Sequence, residues 1–168
     1  MIQIFAAVRS LIYATAFVLL WGWVALQARS IGGGLPLPAA PSRVAGTGLM
    51  VAGGILAFSC VAWFVIAGRG TPAPFDPPRS LVPGGPYRWV RNPMYLGAFL
   101  VLVGFGLWHA SLSMVLVVVP VAVLAHLFVV FYEEPTLERR FGIPYVAYTA
   151  LVNRWIPKPP NRDAVQGV

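Results

Sequence analysis

Charge is what this sequence has least of. Asp, Glu, Lys and Arg make up 10% of its 168 residues, and only five of these are acids, against about 25% charged residues in an ordinary soluble domain. That scarcity excludes a chain whose surface is mostly wetted by water. Cysteine is nearly absent as well. Cys60 is the single thiol and sits inside an apolar run, which rules out an internal disulfide and a cysteine metal cluster and reads as a small buried hydrophobe. No metal site is expected. Of the charges present, twelve are Lys or Arg, for a net +7. In a soluble chain that excess raises the question of nucleic acid, but no basic helix or recognition motif accompanies it. Cations beside anionic lipid headgroups account for it better, so membrane lipids and no nucleic acid are the expected partners.

What is abundant is hydrophobic sequence, 58% of the chain. A hydrocarbon core of ~30 Å takes ~20 helical residues to cross. Four stretches, 11–28, 44–68, 94–108 and 112–132, approach or exceed that length. The expected fold class is therefore all-α, a polytopic membrane helix bundle of about four transmembrane helices with a C-terminal interfacial helical segment. The whole of 1–168 reads as one membrane domain, with 1–68 as two anchoring spans. The first stretch also has the look of a signal peptide, but it is long for one and no soluble domain follows it. The third and fourth stretches are so close that they must form a tight hairpin, and Pro120 should kink the fourth.

The connections differ. Residues 29–43 are rich in glycine and proline and show no periodicity. Residues 69–93 carry Arg69, Arg79, Arg88 and Arg91. After Tyr132 the chain turns polar, yet Leu137, Phe141, Tyr145, Tyr148 and Leu151 or Val152 recur at three- and four-residue spacing. This predicts a helix against the bundle or the membrane, interrupted near residues 142–144. With four spans, ten cations fall on the side of the 69–93 loop and the tail, and only Arg29 and Arg43 fall opposite. The positive-inside bias puts that loop and tail in the cytoplasm.

Both polar segments then meet on one face. Glu133 and Glu134 are two of the five acids in the chain and lie at the membrane surface, where acids contribute nothing to lipid adhesion. With them belong Gly85-Pro86-Tyr87, the run Val90-Arg91-Asn92-Pro93-Met94-Tyr95-Leu96-Gly97, and, one hairpin later, Leu137, Phe141-Gly142, Tyr145, Tyr148, Arg154 and Pro157. In this order the residues resemble the carboxyl-terminal half of the isoprenylcysteine carboxyl methyltransferases, and in part the phosphatidylethanolamine N-methyltransferases and bacterial phospholipid methyltransferases. The resemblance covers about residues 84–158, making that the cofactor-binding and catalytic half. It departs from the family pattern at Asn92, where the family often has His.

The resemblance implies a membrane methyltransferase using S-adenosylmethionine, with S-adenosylhomocysteine as product. Such a donor needs an acid, a partner for its carboxylate and ring faces. Glu133 and Glu134 match the acid. Arg91, Asn92 and the backbone after Pro93, where a helix begins, match the carboxylate partner. Tyr95 and Tyr145 match the rings. Gly97, Gly104 and Gly106 serve either cofactor approach or helix packing. On the catalytic side the resemblance points to Arg154, Glu133 and Tyr148, with Arg154 facing the acceptor unless it snorkels to lipid phosphate. His126, near the face of Glu133, is either a proton carrier or a satisfied intramembrane histidine, and His109 lies on the far side.

The reading is an integral membrane methyltransferase acting on a lipophilic carboxylate or amine at the cytoplasmic face. Membrane sterol reductases, which bind NADPH, have a similar tail and form the first alternative; a non-enzymatic membrane scaffold is the second.

Overall fold

The computed structural model describes residues 16, 19–30, 36–66, 81 and 83–159, and all structural statements concern these. Residues 19–30 form α1. Then follow α2 (Ala39–Ile66), a one-turn 3-10 helix (Gly85–Arg88), α3 (Pro93–Trp108), α4 (Leu112–Phe141) and α5 (Ile143–Leu151). Among the described residues there is no strand, only an isolated bridge between Pro36 and Ser111. The all-α expectation holds.

Over Ala39–Trp63 and Leu112–Phe141, α2 and α4 are long and apolar enough to cross a membrane. Apolar α3 has only 16 residues, about 24 Å at ~1.5 Å per residue, short of a ~30 Å core. The first expected span lies partly outside the described residues. Two full-length apolar helices are thus present, and the expected count of four rests on α1 and α3 as well. The outward faces suit lipid: Phe58 on α2 is 74% exposed and Phe131 on α4 75%. Large apolar side chains in such rows mark a lipid or partner surface.

Glycine decides how α2 meets α3. A Cβ on Gly46 would lie 2.5 Å from the Gly104 carbonyl oxygen, and one on Gly53 equally close to that of Gly97. Each pair sits seven residues from the next on both helices, two turns along one stripe, so the antiparallel backbones touch where no side chain intervenes. The expected hairpin joins α3 to α4. Ala110 turns at φ 51°, and buried Ser111 caps α4 by accepting from Met114 N–H at 3.5 Å. Gly106 lets Val115 approach there.

Three features shape α4. Its turn at Val117 lies just before Pro120, which cannot donate to the preceding turn, in line with the expected kink. A π turn spans Val129–Glu133, with Glu134 N–H reaching back to the Val129 carbonyl. It comes directly before Pro135, whose missing N–H a wide turn accommodates. Gly142, at φ 60°, ends the helix. α5 then folds back so that Tyr145, Tyr148 and Val152 form a buried cluster with Leu81, Leu137, Phe141 and Leu151 packed around it. These are the residues whose spacing predicts a packed helical tail.

Candidate active site

The tail beyond α5 pairs with the loop before α3. Arg91 N–H donates to the Asn153 carbonyl at 2.9 Å, and Lys158 N–H to that of Trp89 at 2.9 Å. Two sequence-distant dipeptides, Arg91-Asn92 and Arg154-Trp155, are thereby set side by side. Asn92, at the start of α3 and buried, strengthens the joint by donating its amide to the Arg154 carbonyl at 3.2 Å. Pro93 opens α3 and is fully buried.

Against this joint stands Glu134, delivered by the π turn. Arg154 binds its carboxylate through two parallel bonds, Nε to Oε1 and Nη2 to Oε2, each 2.7 Å. Arg91 adds Nη1 to Oε1 at 2.9 Å. The side chains of Glu134 and Arg91 are 17% and 13% exposed, so the contact is well shielded from water, and the bidentate geometry is the strong form of such a pair. Arg91 also donates to the Tyr145 hydroxyl; burial, followed by the nearby Glu134 charge, pushes that hydroxyl up to about 12. One buried donor of Arg91, Nε, has no acceptor among the described residues.

Glu133 points elsewhere. Successive helical residues are about 100° apart, so it turns towards α3 and accepts from the Tyr95 hydroxyl at 3.1 Å. Among the described residues no Lys or Arg makes an ion pair with it.

Tyr148 is buried and donates its hydroxyl to the Tyr87 carbonyl at 2.8 Å, and burial pushes that hydroxyl above its ordinary range. Tyr87 in turn shares a hydrogen bond with the Cys60 thiol of α2. Tyr148→Phe is accordingly expected to lower stability by about 1 kcal/mol, one neutral hydrogen bond, with donor affinity unchanged; thermal unfolding beside a binding isotherm checks both.

The structure thus gathers Arg91, Asn92, Pro93, Tyr95, Glu133, Glu134, Tyr145, Tyr148 and Arg154 at one end of the bundle. The glycines are placed differently. Gly97 and Gly104 face the α2 backbone and Gly106 faces α4, so the space their missing side chains leave is filled by protein. His109 lies at the opposite end, within 3.5 Å of Arg29.

Two participants were not singled out from the sequence. Tyr87 belongs to the Gly85-Pro86-Tyr87 motif, but its carbonyl's partner is 61 residues away. Trp155 packs its indole 6.1 Å from the rings of Tyr95 and Phe99 and donates its N–H to His126 Nδ1 at 3.0 Å. Its place beside Arg154 was the only signal available.

The described residues thus form an apolar helical bundle with a polar cluster of acids, arginines and tyrosines at one end. A family model described as phospholipid methyltransferase matches residues 41–143, more than half of the chain, and the chain belongs to that family of membrane methyltransferases. The match takes in α2, which the sequence resemblance left out, and stops before Tyr145, Tyr148 and Arg154. Comparisons with curated proteins and with solved structures gave no match.

Proposed function

We propose that this protein transfers a methyl group from S-adenosylmethionine to the amine of a membrane lipid, at the cytoplasmic face of a four-span bundle. The observation that carries the choice of acceptor is the unequal use of the paired acids. Glu134 faces both Arg91 and Arg154, whereas Glu133, among the described residues, has a tyrosine hydroxyl and no ion pair. A carboxylate acceptor would need a guanidinium not already paired. An ammonium acceptor needs an acid without a cation, and Glu133 is that acid.

The residues present suit the donor. Arg91 keeps a buried Nε–H for an acceptor, Tyr145 and Tyr95 offer ring faces, and Glu134, held by two arginines, fixes that corner. S-adenosylmethionine, when bound, supplies an electrophilic methyl on a sulfonium. Glu133 holds the acceptor amine and takes its proton at Oε1, the oxygen that Tyr95 leaves open. Tyr95 orients that carboxylate. Arg154 acts through Glu134, and Tyr148 braces the loop before α3. A reductase using NADPH fits less well, because its additional phosphate calls for clustered cations, and the two arginines gathered at this site, Arg91 and Arg154, face Glu134.

Titration of purified protein with S-adenosylhomocysteine and with NADPH tests the donor, and methyl-labelled donor with phosphatidylethanolamine tests the acceptor. Selective S-adenosylhomocysteine binding and a labelled lipid amine are expected; NADPH binding in its place would sink the proposal. Glu133→Gln should lower transfer about a hundredfold, the range of a lost general base, with donor affinity within a few-fold of the parent. Equal transfer by the variant would leave proton removal to water.

The orientation rests on the ten-to-two division of cations. In a Cys60→Ser background, Pro38→Cys is expected to react with an impermeant thiol reagent added to intact cells, and Pro159→Cys only after permeabilisation. The reverse pattern would place the site on the outer face.

A further inference from the structure

Trp155 and His126 have no part in the scheme above, yet they adjoin it through Tyr95 and Arg154. His126 lies on α4 seven residues before Glu133, two turns deeper and on a similar face. Its ring is exposed, and its Nδ1 accepts the indole N–H of Trp155 at 3.0 Å. That bond requires the proton of neutral His126 to sit on Nε2. The indole meets three rings: Tyr95 edge-on at 6.1 Å and 76°, Phe99 tilted at 6.1 Å, and His126 itself at 6.2 Å. The residue before it, Arg154, holds Glu134. Tyr95, which touches the indole, holds Glu133.

One short piece of tail therefore links the acid Glu134 to an aromatic cluster whose Tyr95 holds the acid Glu133. At their hairpin end α3 and α4 are joined by Gly106 against Val115. At the other end Trp155 stands between them. An indole that shares the Tyr95 ring with a carboxylate having no ion pair among the described residues offers an ammonium both a ring face and a charge.

We infer that Trp155 is the ring on which the acceptor's ammonium rests as it reaches Glu133 from the bilayer, and that His126 is the positioning residue that fixes the indole. The inference rests on the amine-acceptor reading above. It separates the two ends of the site: Arg154 and Glu134 belong to the donor end, Trp155 and His126 to the acceptor end. His126 is then neither a proton carrier nor an idle histidine, but the acceptor of one hydrogen bond that orients a ring.

The test uses the full chain in phosphatidylglycerol nanodiscs, with phosphatidylethanolamine as the added acceptor. Trp155→Ala should raise KM for phosphatidylethanolamine about tenfold, the scale of a desolvated cation on an indole, with kcat and S-adenosylhomocysteine affinity within about twofold. Trp155→Phe keeps a ring face and should recover most of the loss. His126→Leu should raise KM, and His126→Gln, whose amide oxygen accepts the indole N–H, should restore it. A residue that merely packs would move donor affinity and melting temperature together with KM, and the glutamine would not rescue. An unchanged KM in Trp155→Ala, or effects that follow donor affinity, would overturn the inference. A second readout needs no turnover. The ¹⁵N indole resonance of Trp155, identified by its loss in Trp155→Phe, should shift when phosphatidylethanolamine enters the nanodisc. If it shifts while S-adenosylhomocysteine fails to bind, the methyltransfer reading falls and the lipid contact stands. If it stays still while the donor binds, the contact falls and the reading stands.

Discussion

Glu134→Gln is expected to disable the protein more thoroughly than any other single substitution at the site. In the native structure one carboxylate answers two guanidinium groups through three bonds of 2.7 to 2.9 Å. The amide keeps the shape and removes the charge, leaving Arg91 and Arg154 facing each other without a counter-ion. Removing one partner of a buried pair costs about 3 to 5 kcal/mol, because the remaining charge is still desolvated. Arg154 is 31% exposed, so water recovers part of this and a loss of ~2 to 4 kcal/mol is expected. The loss should appear as a lower unfolding midpoint in detergent and as loss of S-adenosylhomocysteine binding, since the same joint holds the tail against the loop before α3. Arg154→Lys should show the same effects more weakly, because an ammonium cannot make two parallel bonds to one carboxylate. Normal melting and normal donor affinity in Glu134→Gln would show that the triad is incidental.

The second large effect concerns the stripe between α2 and α3. An alanine at 46, 53 or 104 puts its Cβ 2.5 to 2.6 Å from a backbone carbonyl oxygen of the facing helix. Backbone cannot swing aside as a side chain does, so the helices must separate. Overpacking of this kind costs roughly 2 to 3 kcal/mol or more. Gly48→Ala and Gly54→Ala, where nothing lies within 4 Å, should be neutral or stabilising by up to ~1 kcal/mol, the helix preference of alanine over glycine. Melting temperatures of the five variants check the contrast. For Gly104→Ala the same experiment distinguishes packing from cofactor approach. Packing predicts a loss of stability, whereas cofactor approach predicts weaker donor binding at unchanged stability.

Much of the outline was legible in one dimension because it depends on composition and period. Long apolar runs forced helices, since in hydrocarbon the backbone must satisfy its own hydrogen bonds. The closeness of the third and fourth runs forced a hairpin, and three- and four-residue spacing placed Tyr145, Tyr148 and Val152 in one core. Glu133 and Glu134 were rare acids in an apolar chain and the cation count put them on the side of Arg91, while Tyr95 and Arg154 were marked by the family resemblance.

What the sequence could not assign was partners. Glu133 and Glu134 are adjacent and chemically identical; only the π turn before Pro135 and the helical angle between them send one to Tyr95 and the other to two arginines. Arg154 reads from its motif as an acceptor-facing charge and is found holding Glu134. Gly97 and Gly104 read equally as cofactor approach or packing until α2 is seen to fill their space. Trp155 gave no signal of its own, because its contacts with Tyr95, Phe99 and His126 arise only when the tail pairs with the loop before α3. By itself the sequence determined the all-α class and the hairpin, which follow from long apolar runs and their spacing, and the cation count and the family motif gathered the polar segments on one side. The pairing of acid with arginine and of indole with histidine was decided by tertiary structure alone, because a hydrogen bond depends on where two atoms meet and not on how far apart their residues lie along the chain.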